Sequence, residues 1–219
     1  MFAGTRAQQA LARKEAGRRV ISADRFVETS QHHEAWLTAR TRGVTATEVA
    51  KAATGKAGLR DALEARVNPQ AVEANAYMQF GSDNEDWIAR VLKRDFGLMP
   101  NRWLIAAEGT PEHMATPDCL SLDHEVIGEV KTGGKSPVDK DGILRPPIAH
   151  MRQMQWQMRC TDATHCYYAF MLRAEVGGVF VPAWLEPLVA LIPRDDVMIA
   201  ALVKVADLLL IDFEGWEAA

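Results

Sequence analysis

Residues 115–133 read ATPDCLSLDHEVIGEVKTG, and the interpretation of this stretch decides the fold. Asp123-His124 sits between two apolar runs and has the composition of a chain reversal. A hairpin centred there pairs positions whose numbers sum to 247, which sets Asp118 opposite Glu129. Facing residues on paired strands stand about 4.5–5.5 Å apart, where two like charges repel. Lys131 follows Glu129 by two, so both project from one strand face. Two readings stay open. One is a surface hairpin in which Glu129 pairs with Lys131 or with nothing. The other is a cation site, because converging carboxylates are the oxygen donors that a hard divalent ion takes. Three features favour the second. Val126, Ile127 and Val130 make the strand apolar, Pro117 fixes the backbone just before Asp118, and Glu85 lies in a helical run beside Trp87 and Ile88.

Working outward, the segments before this stretch read as helices. SQHHEAWLTARTRG offers Ser30 as an N-cap and Gly43 as a stop, and TATEVAKAAT offers Thr45 or Thr47. Further helical patterns cover residues 5–17, residues 57–67 and residues 70–97, the last with a possible break at Gly81 and a stop at Gly97. RWLIAAE, MATPDCLSL and VIGEVK read as strands, and residues 132–147 as a loop. IAHMRQMQWQMRCT is helical, HCYYAFML and GGVFVPAWL are strands, and an amphipathic helix spans 193–213. The expected architecture is a single α/β domain with a mixed β-sheet flanked by helices: a helical part over 1–97, a sheet-containing core over 98–192, and the final helix.

The 219 residues, 48% hydrophobic and 25% charged, suit an ordinary globular protein. There is neither a membrane-length apolar run nor an apolar signal core, so a cytoplasmic protein is expected. Cys119, Cys160 and Cys166 form no disulfide framework, and Cys160, His165 and Cys166 lack a usual zinc spacing. The net charge of −4 is unevenly spread. Residues 174–219 carry eight carboxylates against Arg194 and Lys204, which leaves the rest of the chain at +2. A basic surface is therefore compatible with an acidic total.

Five pieces in order resemble the lambda-type alkaline exonucleases, the YqaJ-type viral recombinase family of the PD-(D/E)xK nucleases. They are EAWLTARTRGVTATEVA, FGSDNE, TPDC, EVK and HMRQMQWQM, and they run from about Trp36 to about Tyr168. The resemblance implies a PD-(D/E)xK core and a Mg2+-dependent 5′→3′ exonuclease with two ions per site, Mn2+ being a substitute. It implies that Asp118, Glu129 and the Val130 carbonyl hold metal, that Glu85 reaches the second ion, that Lys131 positions the attacking water, and that Gln153 orients Lys131 or that water. Arg40, Thr45, Thr47 and Thr116 fall where the family binds the DNA 5′-phosphate, and Met78 where it places an apolar wedge. Double-stranded DNA ends, a single-strand annealing protein and a homotrimeric ring are the implied partners. The chain departs from the pattern with Cys119 in place of Gly, Thr132-Gly133 in place of Cys-Pro, and threonines at 47 and 116 in place of serines. An endonuclease or nickase on the same core is the alternative, as is a DNA-binding module that has lost catalysis. The last requires a broken metal set, and all four charged residues are kept.

Overall fold

The computed structural model describes residues 20–68 and 75–217, with side chains through residue 211. The helical pattern at 5–17 and the first residues of the 70–97 pattern lie outside the described residues. A 3-10 turn at Ala23–Arg25 leads into β1 (Phe26–Thr29), followed by helices α1 (His33–Thr41), α2 (Ala46–Ala52), α3 (Lys56–Val67) and α4 (Ala76–Phe96). Five strands then succeed one another: β2 (Met99–Pro100), β3 (Trp103–Ala107), β4 (Thr110–Ala115), β5 (Cys119–Leu120) and β6 (Val126–Gly133). Helix α5 (Ile148–Thr161) connects to β7 (His165–Val176), β8 (Val179–Pro182) and β9 (Leu188–Pro193), and α6 (Asp196–Glu217) ends the described chain.

The strands form two sheets. One is antiparallel, in the order β1-β3-β4. The larger is mixed, in the order β2-β5-β6-β7. The far edge of β7 is shared, with β9 along His165–Phe170 and β8 along Arg173–Val176. β6 and β7 are parallel over eight residue pairs. Parallel neighbours need a crossover, and α5 supplies it.

Period-2 alternation sorts the larger sheet into two faces. Ile127, Cys166, Tyr168 and Phe170 pack with Met154 and Met158 of α5. Val130, Ala169 and Met171 pack with Ile88 and Leu92 of α4. Glu129 has the parity of Ile127, so it faces α5.

Helix α4 runs without a break through Gly81. The Asn75 side chain accepts hydrogen bonds from the Tyr77 and Met78 amides at its start, and Gly97 (φ 72°) ends it in the left-handed conformation. The N-cap of α1 is His32 rather than Ser30, which lies in the preceding turn with its amide donating to the Arg102 carbonyl. Gly43 is needed for a close approach: a Cβ there would lie 2.1 Å from the Glu112 carbonyl oxygen. That approach lets Val44 bridge to His113 and sets the start of α2.

MATPDCLSL is not one strand. It divides at Thr116-Pro117, with β4 in the small sheet and β5 in the large one. Pro117 has no N–H for a ladder, so the chain changes sheets there and Asp118 stands at the seam. β9 also went unread in the sequence, because its short apolar run between two prolines carries no period of its own.

His113 is 1% exposed, packs against Trp156 with ring centres 4.8 Å apart and tilted by 51°, and faces Asp207 across 3.4 Å. Burial, then Arg159, hold its imidazole below the ordinary value of 6.5, against Asp207 and Glu112. A depressed histidine makes its contribution above the unfolded pKa and loses it on acidification. The melting temperature is therefore expected to fall by a few degrees between pH 7 and pH 5. His113→Gln should flatten that slope in scanning calorimetry.

Candidate active site

Cys119 pairs with Gly128 and Leu120 with Ile127, the register implied by the reversal at Asp123-His124. His124 takes the left-handed conformation (φ 58°), and Asp123 accepts hydrogen bonds from the Ser121 hydroxyl and the Glu125 amide. Gly128 admits the closeness of this pairing: a Cβ there would meet Cys119 at 2.9 Å and Leu92 at 3.0 Å. Continuing the register sets Asp118 against Glu129. The Val130 amide donates to Asp118 Oδ2 at 2.6 Å. Within a strand the N–H and C=O of one residue point to the same edge, so the Val130 carbonyl also lies on the Asp118 side.

Glu129 is fully buried. One carboxylate oxygen pairs with Lys131, and the other accepts a 2.6 Å hydrogen bond from Gln157 Nε2 on α5. Burial, then Glu129, push the Asp118 carboxyl well above the ordinary range, against Lys131 and the Val130 amide. Glu85 is raised by burial and by Asp86. Burial lowers Lys131, but Glu129 and Asp118 outweigh it and hold the ammonium charged. Among the described residues no three His, Cys, Asp or Glu side chains stand in a ready ligating arrangement. Three mutually repelling carboxylates against one ammonium are still an oxygen donor set short of positive charge, which a divalent cation fits.

Two clefts meet at this point, and Glu85 and Asp118 line both. The first also holds Trp36, Arg40, Arg102 and Thr116, and the second Met78, Val130, Lys131 and Arg173. A smaller cavity of about 60 Å³ is lined by Arg40, Thr45, Thr47, Thr116, Gln153 and Gln157. That is space for about two waters, or one phosphate group. Inside it the residues differ in what they have free. The Thr45 hydroxyl donates to Glu48 Oε2 at 2.6 Å and caps α2, which leaves Arg40, Thr47 and Thr116 as donors. The Arg40 guanidinium lies 4.3 Å from the centre of the Trp36 ring, which fixes its fork. Gln153 lines this cavity, whereas Gln157, one turn further along α5, contacts the buried carboxylate. Sequence reasoning chose Gln153 and passed over Gln157. The spacing of four on one helix face was the available signal.

The fold has solved counterparts. The alkaline exonuclease LHK-Exo from Laribacter hongkongensis, in complex with dAMP, has TM-score 0.67 and 25% identity, over 83% of this chain and 93% of that one. A second structure of the same enzyme gives 0.66 and 26% over the same shares. The chain is similar to alkaline exonucleases in fold. A phage-related exonuclease from Haemophilus somnus 129PT shares the fold at TM-score 0.59 and 15% identity, over 80% of this chain and 95% of that one. No family profile and no curated protein matches the sequence. Among the described residues no helix is long and apolar enough to cross a membrane.

Proposed function

We propose that this protein is a Mg2+-dependent 5′→3′ exonuclease. It degrades one strand of linear double-stranded DNA to 5′-mononucleotides and leaves 3′ overhangs for phage-type recombination. The observation that carries this reading is the Cys119–Gly128 register that sets Asp118 facing Glu129, with Lys131 paired to Glu129 and a phosphate-sized cavity one cleft away. Asp118, Glu129, the Val130 carbonyl and Glu85 would hold the cation. A bound divalent ion lowers the pKa of water and neutralises charge on a phosphodiester. Lys131 directs its ammonium at the attacking water or at a phosphoryl oxygen. Gln157 fixes the orientation of Glu129, and Gln153 adds an amide to the wall of the phosphate cavity. Met78 stands exposed at the second cleft, where an apolar side chain can lever the terminal base pair apart. A homotrimeric ring around DNA and a single-strand annealing partner complete the reading. Light scattering over a concentration series tests the ring, and a monomer would remove it.

The 5′-phosphate is the specificity element. Arg40 offers a rigid fork and the threonines add hydroxyls. Charge-assisted hydrogen bonds contribute about 1.5–3 kcal/mol, so a 5′-phosphorylated duplex should be digested roughly tenfold to a hundredfold faster than a 5′-hydroxyl duplex. Arg40→Ala should erase that difference, measured by release of labelled mononucleotide from linear DNA with and without Mg2+. Equal rates on both ends in the wild type would misplace the cavity. Cleavage of closed circles would favour an endonuclease.

A further inference from the structure

Arg173 stands on β7 just past the point where that strand leaves β9 for β8. Its guanidinium carbon lies 4.3 Å from the centre of the Tyr77 ring, 4.8 Å from Phe180 and 5.9 Å from Phe80. Tyr77 and Phe180 are themselves stacked at 5.1 Å. These rings join the first turn of α4 to β8 and hold the guanidinium without using its donors. Among the described residues Arg173 makes no hydrogen bond and no ion pair. It nevertheless lines the second cleft, about 500 Å³, with Lys131, Asp118 and Glu85. The group also reaches the chain leaving β6, since a Cβ at Gly134 would stand 3.2 Å from its Nη2.

A guanidinium fixed by aromatic faces is weakly hydrated and loses little freedom on binding, which suits a phosphate oxygen. The Arg40 cleft and the Arg173 cleft share Asp118 and Glu85 and have otherwise different linings. A strand whose 5′-phosphate sits at Arg40 and whose first linkage sits at Asp118 must continue toward Arg173. We infer that Arg173 binds the phosphodiester on the 3′ side of the scissile linkage, the second linkage from the 5′ end. Tyr77 and Phe180 hold its guanidinium in place. Arg173 thereby sets the register of the strand between cuts. This inference rests on the exonuclease reading of the same site.

The test removes one phosphate charge at a time. Linear duplexes carry a single methylphosphonate at the second, third or fourth linkage from a 5′-phosphorylated end. Release of the first nucleotide by wild type should be slowed roughly tenfold to a hundredfold by the substitution at the second linkage and little by the others. Arg173→Ala should be slowed by a similar factor on unmodified DNA, mainly through KM, and should show no further loss at the second linkage. Arg173→Lys keeps the charge and should recover part of both effects. A merely structural Arg173 would lower the melting temperature and leave the methylphosphonate profile unchanged, and that result overturns the inference. If wild type digests no duplex, the exonuclease reading fails instead. Equilibrium binding of the same oligonucleotides then decides Arg173. Loss of second-linkage sensitivity in Arg173→Ala supports the inference, and its retention overturns it.

Discussion

Asp118→Ala, Glu129→Ala and Lys131→Ala are each expected to lower Mg2+-dependent digestion of linear duplex DNA by about a thousandfold or more. Each substitution removes an oxygen donor for the cation or the ammonium that steadies the water. At least one of the three should still bind duplex ends, because the phosphate cavity at Arg40 is untouched. Substantial Mg2+-dependent activity in all three would sink the site. Without metal, stability should move the opposite way at one position. Asp118 is held protonated-leaning by burial and by Glu129, so its charge is unfavourable in the folded state at neutral pH. A carboxyl with a raised folded pKa loses stability as pH rises, so Asp118→Asn should raise the metal-free melting temperature by a few degrees. Added Mg2+ should stabilise wild type and not this variant, as calorimetry with and without chelator would read.

Gln157→Leu carries the second large effect, and it is on stability as much as on rate. Gln157 is 1% exposed and its Nε2 is the donor to Glu129 Oε2 at 2.6 Å. Leucine fills similar space but leaves a fully buried carboxylate oxygen without that donor. Removing a donor from a buried charged acceptor costs about 1.5–3 kcal/mol, which lowers the melting temperature of a domain this size by roughly 3–12 °C. The single variant should also turn over DNA more slowly, because Glu129 is free to rotate. A Gln157→Leu protein that melts with wild type would show that α5 does not brace the carboxylate. In that case the orientation of Glu129 depends on Lys131 alone.

How far the sequence goes depends on how local each feature is. The hairpin was legible in residues 115–133 because a reversal fixes register by counting, and register alone puts Asp118 against Glu129. Helix α4 was legible from its apolar period and from Gly97. The α2 cap was legible as far as the choice of Thr45 or Thr47. What Thr45 does was not: its hydroxyl is committed to Glu48, a hydrogen bond the notation of residue types leaves open. The split of MATPDCLSL between two sheets had a visible cause in Pro117, yet nothing nearby says that the chain changes partners there.

Only the tertiary structure decided the choice between Gln153 and Gln157. Both face the same side of α5, and which one reaches Glu129 depends on how far along β6 the helix is docked. The same holds for Arg173, which lies 42 residues beyond Lys131 in the chain yet lines the same cleft. Period and turn chemistry act over a few residues, so the sequence by itself determined most of the helices, the hairpin at Asp123-His124 and its register. Docking of α4, α5 and β8 on the sheet depends on the shapes of surfaces distant in the chain. That packing decided which amide braces the carboxylate and which guanidinium faces the cleft.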